Sequence, residues 1–200
     1  LEYLKRLCSV GENARFEVKD WDDFEARWKK AVLALTAEPV EAVDYVLLAG
    51  GYQEDDDWEA AAKLFEGALA KDPKLAGARF ELGYCYKRMG DYDKAMETLE
   101  LARKDEPKNG TILYWMARIV LRIDQEDPKD ADPARALLLA QEALKLAGTD
   151  SPGILVLIAR CQAAAGDSGA ADKTMKKVIK LAEEDEKPFY EALARELKGK

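Results

Sequence analysis

Apolar residues along the chain recur three and four positions apart, in stretches broken by short polar turns. From Ala76 the pattern runs through Leu82 and Tyr86, breaks at Gly90-Asp91, resumes at Tyr92, Ala95, Leu99 and Ala102, and stops at Pro107. That spacing is the period of an amphipathic helix, so the segment predicts two helices joined by a turn. Sliding by 34 residues toward the N-terminus puts Tyr45, Leu48, Ala49, Tyr52, Trp58, Ala61, Phe65, Ala68 and Pro73 on the same slots. A third unit begins at Gly110 with Leu113, Met116, Ala117 and Val120. Its second helix carries Ala136, Ala140 and Ala143 but arrives late, because the acidic stretch Asp124 to Asp130 inserts about seven residues into the turn. A fourth unit, Pro152 to Asp185, places Leu155, Ile158, Ala159, Ala171, Met175 and Val178 in register. A fixed period of this kind predicts a stack of helix pairs in place of a single compact globule.

Small and capping residues sharpen the register. Ala49, Gly83, Ala117 and Ala159 recur at one slot, and Ala61, Ala95, Ala136 and Ala171 at another. Small side chains there let paired helix axes approach to about 8–10 Å. Asp57, Asp91, Asp132 and Asp167 each stand where a second helix should open, and Asp is a preferred N-cap whose charge suits the helix dipole. Pro133 follows its cap at the first helical position, where a missing N–H is harmless. Gly90 and Gly166 precede their caps, as a left-handed helix stop requires.

Leu82-Gly83, Tyr86, Gly90-Asp91-Tyr92, Ala95, Leu99, Ala102 and Pro107 together resemble the tetratricopeptide repeat, with Arg79 where that family usually has Trp. The resemblance implies an all-α, right-handed α-α superhelix that serves as a protein-interaction scaffold. The expected organisation is an N-terminal half-repeat over 1–41, repeats at 42–75, 76–109, 110–151 (with its inserted turn at 124–130) and 152–185, and a capping helix over 186–200. Before the first repeat, Trp21 to Leu35 reads as a degenerate half-repeat, while Gly11 and Asn13 interrupt any partner helix. In the last helix Phe189, Ala192, Leu193 and Leu197 form the expected inward stripe. The opening Leu1, Leu4 and Leu7 faintly resemble the closing helix of a thioredoxin-fold domain, which implies a larger, enzyme-bearing protein as a further reading.

In tetratricopeptide proteins the first helices line a concave groove, with side chains from the second, fifth, ninth, twelfth and thirteenth positions of each unit. Carried onto this chain, the first unit offers a bland surface of Val43, Val46, Gly50, Gln53 and Glu54. The other units offer Gly77, Phe80, Tyr84, Lys87 and Arg88, then Thr111, Tyr114, Arg118, Leu121 and Arg122, then Gly153, Val156, Arg160, Ala163 and Ala164. The expected peptide-binding set is Phe80, Tyr84, Lys87, Arg88, Tyr114, Arg118, Arg122 and Arg160. Arg118 and Arg122, four apart, are expected on one side of a single helix. An acidic peptide segment or a carboxyl terminus is the expected ligand. The competing expectation is structural: the arginines pair with acids of neighbouring helices, and the tyrosines pack between repeats. The clamp subtype that holds chaperone C-termini uses Lys and Asn at slots filled here by Val46, Gly50, Phe80, Tyr84 and Tyr114, so chaperone tails are not the expected ligand.

Charge narrows the partners further. With 39 acidic and 31 basic residues, the formal charge of -8 opposes non-specific attraction to nucleic acid or anionic lipid. The basic, aromatic groove permits single-stranded RNA, which overall acidity and the repeat signature oppose. Histidine is absent, which removes the commonest general base and metal ligand. Cys8, Cys85 and Cys161 form no CxxC pair, and Cys85 and Cys161 share a slot for small buried residues. No phosphate-loop motif occurs. The expectation is therefore no catalysis, no metal, no cofactor, a protein or peptide partner, and self-association as the alternative mode. No apolar run reaches the roughly 18 residues of a membrane span. A start at Leu1 without Met or a leader predicts a piece of something longer; the expected chain is soluble, and its compartment, cytoplasmic or periplasmic, stays open.

Overall fold

The computed structural model describes residues 41–123 and 130–199. The half-repeat at Trp21 to Leu35, Leu1, Leu4, Leu7, Cys8 and the inserted stretch from Asp124 to residue 129 lie outside the described residues. Among the described residues the regular elements are helices: α1 (Ala42–Glu54), α2 (Trp58–Lys71), α3 (Ala78–Arg88), α4 (Tyr92–Asp105), α5 (Gly110–Val120), α6 (Pro133–Ala147), α7 (Pro152–Ala164), α8 (Ser168–Leu181) and α9 (Lys187–Lys198). Each packs against the next, and the closing α9 lies on α8 and also touches α7. Successive first helices meet as well, α3 on α5 and α5 on α7, so these helices run side by side along one face of an all-α solenoid. None of the described helices is long and apolar enough to cross a membrane.

One residue does two jobs at most of the internal turns. The backbone N–H of Asp57, Asp91 and Asp167 donates to the carbonyl five residues earlier, on Tyr52, Tyr86 and Gln162, which closes the first helix of the pair. The carboxylate of the same residue then accepts the N–H of Ala60 at 3.1 Å, Lys94 at 3.2 Å and Ala170 at 2.8 Å, which opens the second helix. Such a stop needs a left-handed residue just before it. Gly90 (φ 80°) and Gly166 (φ 84°) supply it, and in the first turn Asp56 takes it at φ 59°. Asp167→Ala keeps the closing N–H and removes only the opening carboxylate. Its urea unfolding free energy is expected to fall by about 1 kcal/mol; no change in the midpoint would show that the cap contributes nothing.

The third turn separates the two jobs. The Ile123 N–H closes α5 on the Arg118 carbonyl at 3.2 Å, with Arg122 left-handed at φ 55°. Asp132 opens α6 by accepting the N–H of Arg135 at 2.9 Å, while its own N–H donates to the Val120 carbonyl at 3.1 Å. The insertion therefore falls between a completed helix stop and a separate helix start.

The small slots are where the helices approach. Ala49, Ala117 and Ala159 are fully buried, as are Ala61, Ala95, Ala136 and, to 1%, Ala171. A Cβ on Gly83 would lie 2.9 Å from Leu99, so even a methyl group there would displace a core side chain. The core divides into two clusters. One gathers Ala49, Ala61, Ala62, Phe65, Ala78, Leu82 and Cys85 around the first three helices. The other runs from Ala95 through Leu99, Met116, Leu155 and Met175 to Leu193 and Leu197. Tyr86 packs against both.

Cys85 and Cys161 are fully buried free thiols, pushed up by burial to about 11 and about 12. They fill space as small apolar residues and stay protonated. Arg79, in the slot of the usual Trp, pairs with Asp105 of α4. The expected stripe of α9 needs correcting. Leu193 and Leu197 are buried, but Phe189 is 66% exposed and Ala192 is also outside; Tyr190 and Ala194 take their places against the core. Because α9 touches two helices, the buried stripe is turned by about one residue from the set that includes Phe189.

Candidate functional site

The inner face of α3, α5 and α7 carries most of the expected binding set, and its aromatic rings hold it together. Trp58, Tyr84, Trp115 and Tyr114 form a chain of edge-to-face contacts, with centroids 5.7, 5.0 and 5.5 Å apart in that order. Rings prefer this arrangement because the positive edge of one meets the negative face of another. Cations then settle on the faces. The Lys87 ammonium lies 5.0 Å above Trp115, and the Arg118 guanidinium lies 4.9 Å from Trp115 and 5.7 Å from Tyr114. Arg118 also donates to the Tyr114 hydroxyl at 3.2 Å.

Arg88 is placed differently. It stacks 4.0 Å from the Trp58 ring, donates to the Tyr84 hydroxyl at 3.4 Å and pairs with Asp56 at 3.1 Å. The hydrogen bond to Tyr84 raises its pKa, with Asp56 adding to the effect, so the cation is held by its own chain. Phe80 is half-buried against the core, which makes it wall more than contact surface. Of the neighbouring groove slots, Leu121 and Ala163 are buried at 6% and 5% exposure and face the core.

Arg122 departs from expectation. The helix that carries Arg118 ends at Val120, so Arg122 lies beyond it in the left-handed stop and pairs with Asp130 at 3.5 Å. The two arginines do not share a helix face. The physical reason is the insertion. A helix stop completed early frees Arg122 for the acid on the returning arm of the turn.

Two clefts open between α5 and α7. One, of about 300 Å³, lies between Gly110, Thr111 and Tyr114 on one side and Ser151, Gly153 and Ile154 on the other. The second, of about 170 Å³, continues past Tyr114, Arg118 and Ile123 opposite Gly153, Val156, Leu157 and Arg160. Tyr114 and Gly153 line both. Arg160 is half-buried at the far end, and among the described residues no carboxylate pairs with it. Two contributors are not marked as binding residues by the sequence pattern. Trp115 falls between the groove positions of the repeat, and Trp58 reads only as a slot match at the head of α2. A Trp one or two residues from a predicted groove Tyr is the signal that could have found Trp115.

The comparisons agree on the architecture. The tetratricopeptide repeat family matches over residues 52–119. A thermophilic tetratricopeptide repeat protein of Thermus thermophilus superposes with a TM-score of 0.60 at 19% identity, covering 78% of this chain and 80% of its own. YrrB, described as a tetratricopeptide repeat protein with an unusual peptide-binding site, gives 0.63 at 20% identity, covering 86% of this chain and 82% of its own. MamA of Desulfovibrio magneticus RS-1, from residue 41 to its end, gives 0.62 at 14% identity, covering 80% and 93%. At these identities the likeness is one of fold. No curated protein matches the sequence.

Proposed function

We propose, from a chain that carries a tetratricopeptide-repeat domain, that the inner helices α3, α5 and α7 hold an acidic segment of a partner protein. The domain is a protein-interaction scaffold, as the family match and the fold neighbours support. Its working units are the repeats at 42–75, 76–109, 110–151 and 152–185, and it acts by binding in place of catalysis. The observation that carries the acidic ligand is the clustering of Lys87, Arg118 and Arg160 with Tyr84, Tyr114 and Trp115 on one face of a chain whose net charge is -8. Lys87 and Arg118 are steadied by ring faces, so presenting them to an anion costs little further side-chain entropy. Arg160 offers a partly desolvated charge in a cleft. Arg88 and Arg122 pair with the turn residues Asp56 and Asp130, which favours a structural part for those two.

A pair of fluorescent dodecapeptides tests the reading, one rich in Glu and Asp around a few apolar residues, the other with Lys at every acid. The acidic peptide is expected to bind with a Kd on the order of micromolar, and to weaken as salt is raised from about 50 to 300 mM. Its basic counterpart is expected not to bind. Equal binding of the two, or affinity indifferent to salt, would remove the acidic-ligand reading.

A further inference from the structure

Gly153 stands at the junction of the two clefts between α5 and α7. It is the second residue of α7, exposed, and its backbone has no need of glycine: its φ is not left-handed, and a Cβ there would meet no atom within 4 Å. Glycine in a helix normally costs stability relative to almost any other residue. Here it keeps a passage open between Tyr114 on one wall and Ile154 and Val156 on the other. Arg160 lies two helical turns further along the same helix, about 10 Å away, at the end of the same continuous seam. In an extended peptide about 10 Å is three residues.

We propose that this seam is the selectivity pocket of the groove, taking one apolar side chain of the bound segment over Gly153 while an acidic side chain about three residues away reaches Arg160. The inference rests on the acidic-ligand reading and narrows it: charge alone is insufficient, and the ligand is an aliphatic residue and an acid at fixed separation. The seam between α5 and α7 is apolar over Val156, Leu157 and Ile123; Arg118 on its α5 wall lies against the Tyr114 and Trp115 rings, and Arg160 stands at its end, and the pairing follows from that order. A wholly acidic peptide would leave the apolar stretch facing water or, worse, place a carboxylate on it.

The test uses the whole chain and its Gly153→Leu variant. Leu at this position fills the passage and improves helix propensity, so the variant is expected to fold at least as stably as the parent. Phage-displayed random dodecapeptides selected on the parent chain are expected to share an aliphatic residue about three positions from Asp or Glu. A synthetic peptide of that sequence should bind Gly153→Leu about tenfold to a hundredfold more weakly. Replacing the aliphatic residue by Ala should cost a similar factor on the parent and almost nothing further on the variant. Acid-rich peptides with no aliphatic preference, or unaltered affinity in Gly153→Leu, would overturn the pocket while leaving the acidic reading intact. Aliphatic selection without acids would overturn the acidic reading, and with it the paired motif.

Discussion

Arg160→Glu is expected to weaken an acidic peptide by at least tenfold, and more plainly than any other single change in the groove. A hydrogen bond to a charged partner is worth about 1.5–3 kcal/mol, or roughly ten- to a hundredfold in Kd, and reversal adds repulsion to that loss. The choice of Arg160 over Arg118 follows from their surroundings. Arg118 packs on Tyr114 and Trp115, so its reversal would disturb the ring chain along with the ligand contact. Arg160 has no carboxylate partner among the described residues and sits at the end of a cleft, so its reversal should leave thermal unfolding nearly unmoved. Arg88→Gln serves as a control. It breaks the pair with Asp56 and the stack on Trp58, and is expected to affect folding more than binding. If the Arg160→Glu chain binds the acidic peptide as the parent does, the cations of this face are structural and the groove reading is lost.

What can be read from the sequence is set by features that repeat. Asp57, Asp91, Asp132 and Asp167 mark the second helices because capping is a local interaction, settled within four residues. The alanine slots mark contact lines because a close helix pair has no room for more. What cannot be read depends on the one place where the repeat is broken and on surfaces the repeat does not specify. α5 stops at Val120 with Arg122 as its left-handed residue, and no glycine in the sequence announces that stop. The fate of Arg122 therefore turns on a return arm whose geometry local pattern does not encode. Hydrophobicity alone points Phe189 inward, yet the face of α9 is chosen by two neighbours at once. The stacking of Arg88 on Trp58 joins residues of different helices and different units, beyond the reach of any single period. The clefts at Gly153 arise from what is missing from a side chain, and they need neighbouring atoms to be seen.

Phe65→Ala is expected to have the largest effect on folding, and a local one. Phe65 is 1% exposed, and the other buried members of its cluster are mostly alanine, with Leu82 and Cys85, under a partly buried shell that includes Trp58 and Leu69. Removing a buried Phe costs about 3–5 kcal/mol, toward the upper end where neighbours are too small to collapse into the space. In a stack of repeats, each unit is held by its own core and by its neighbours' interfaces, so damage need not spread evenly. The division of the core into two clusters makes that expectation specific. α1 buries only Ala49, and α1 and α2 belong to the cluster that loses its largest side chain. Amides of α1 and α2 in the variant should exchange with solvent orders of magnitude faster, while those of α5 to α8 keep most of their protection. Met175→Ala, in the other cluster and 1% exposed, should produce the reverse distribution. Tyr86 touches both clusters, and Gly83 of α3 lies close against Leu99 of α4. These contacts carry whatever coupling exists. If Phe65→Ala lowers protection equally from α1 to α9, that coupling exceeds the cost of a lost core side chain and the described helices open as a single unit. A graded loss, steepest in α1 and fading beyond α4, would place the boundary of cooperativity inside the second repeat, where the two clusters meet.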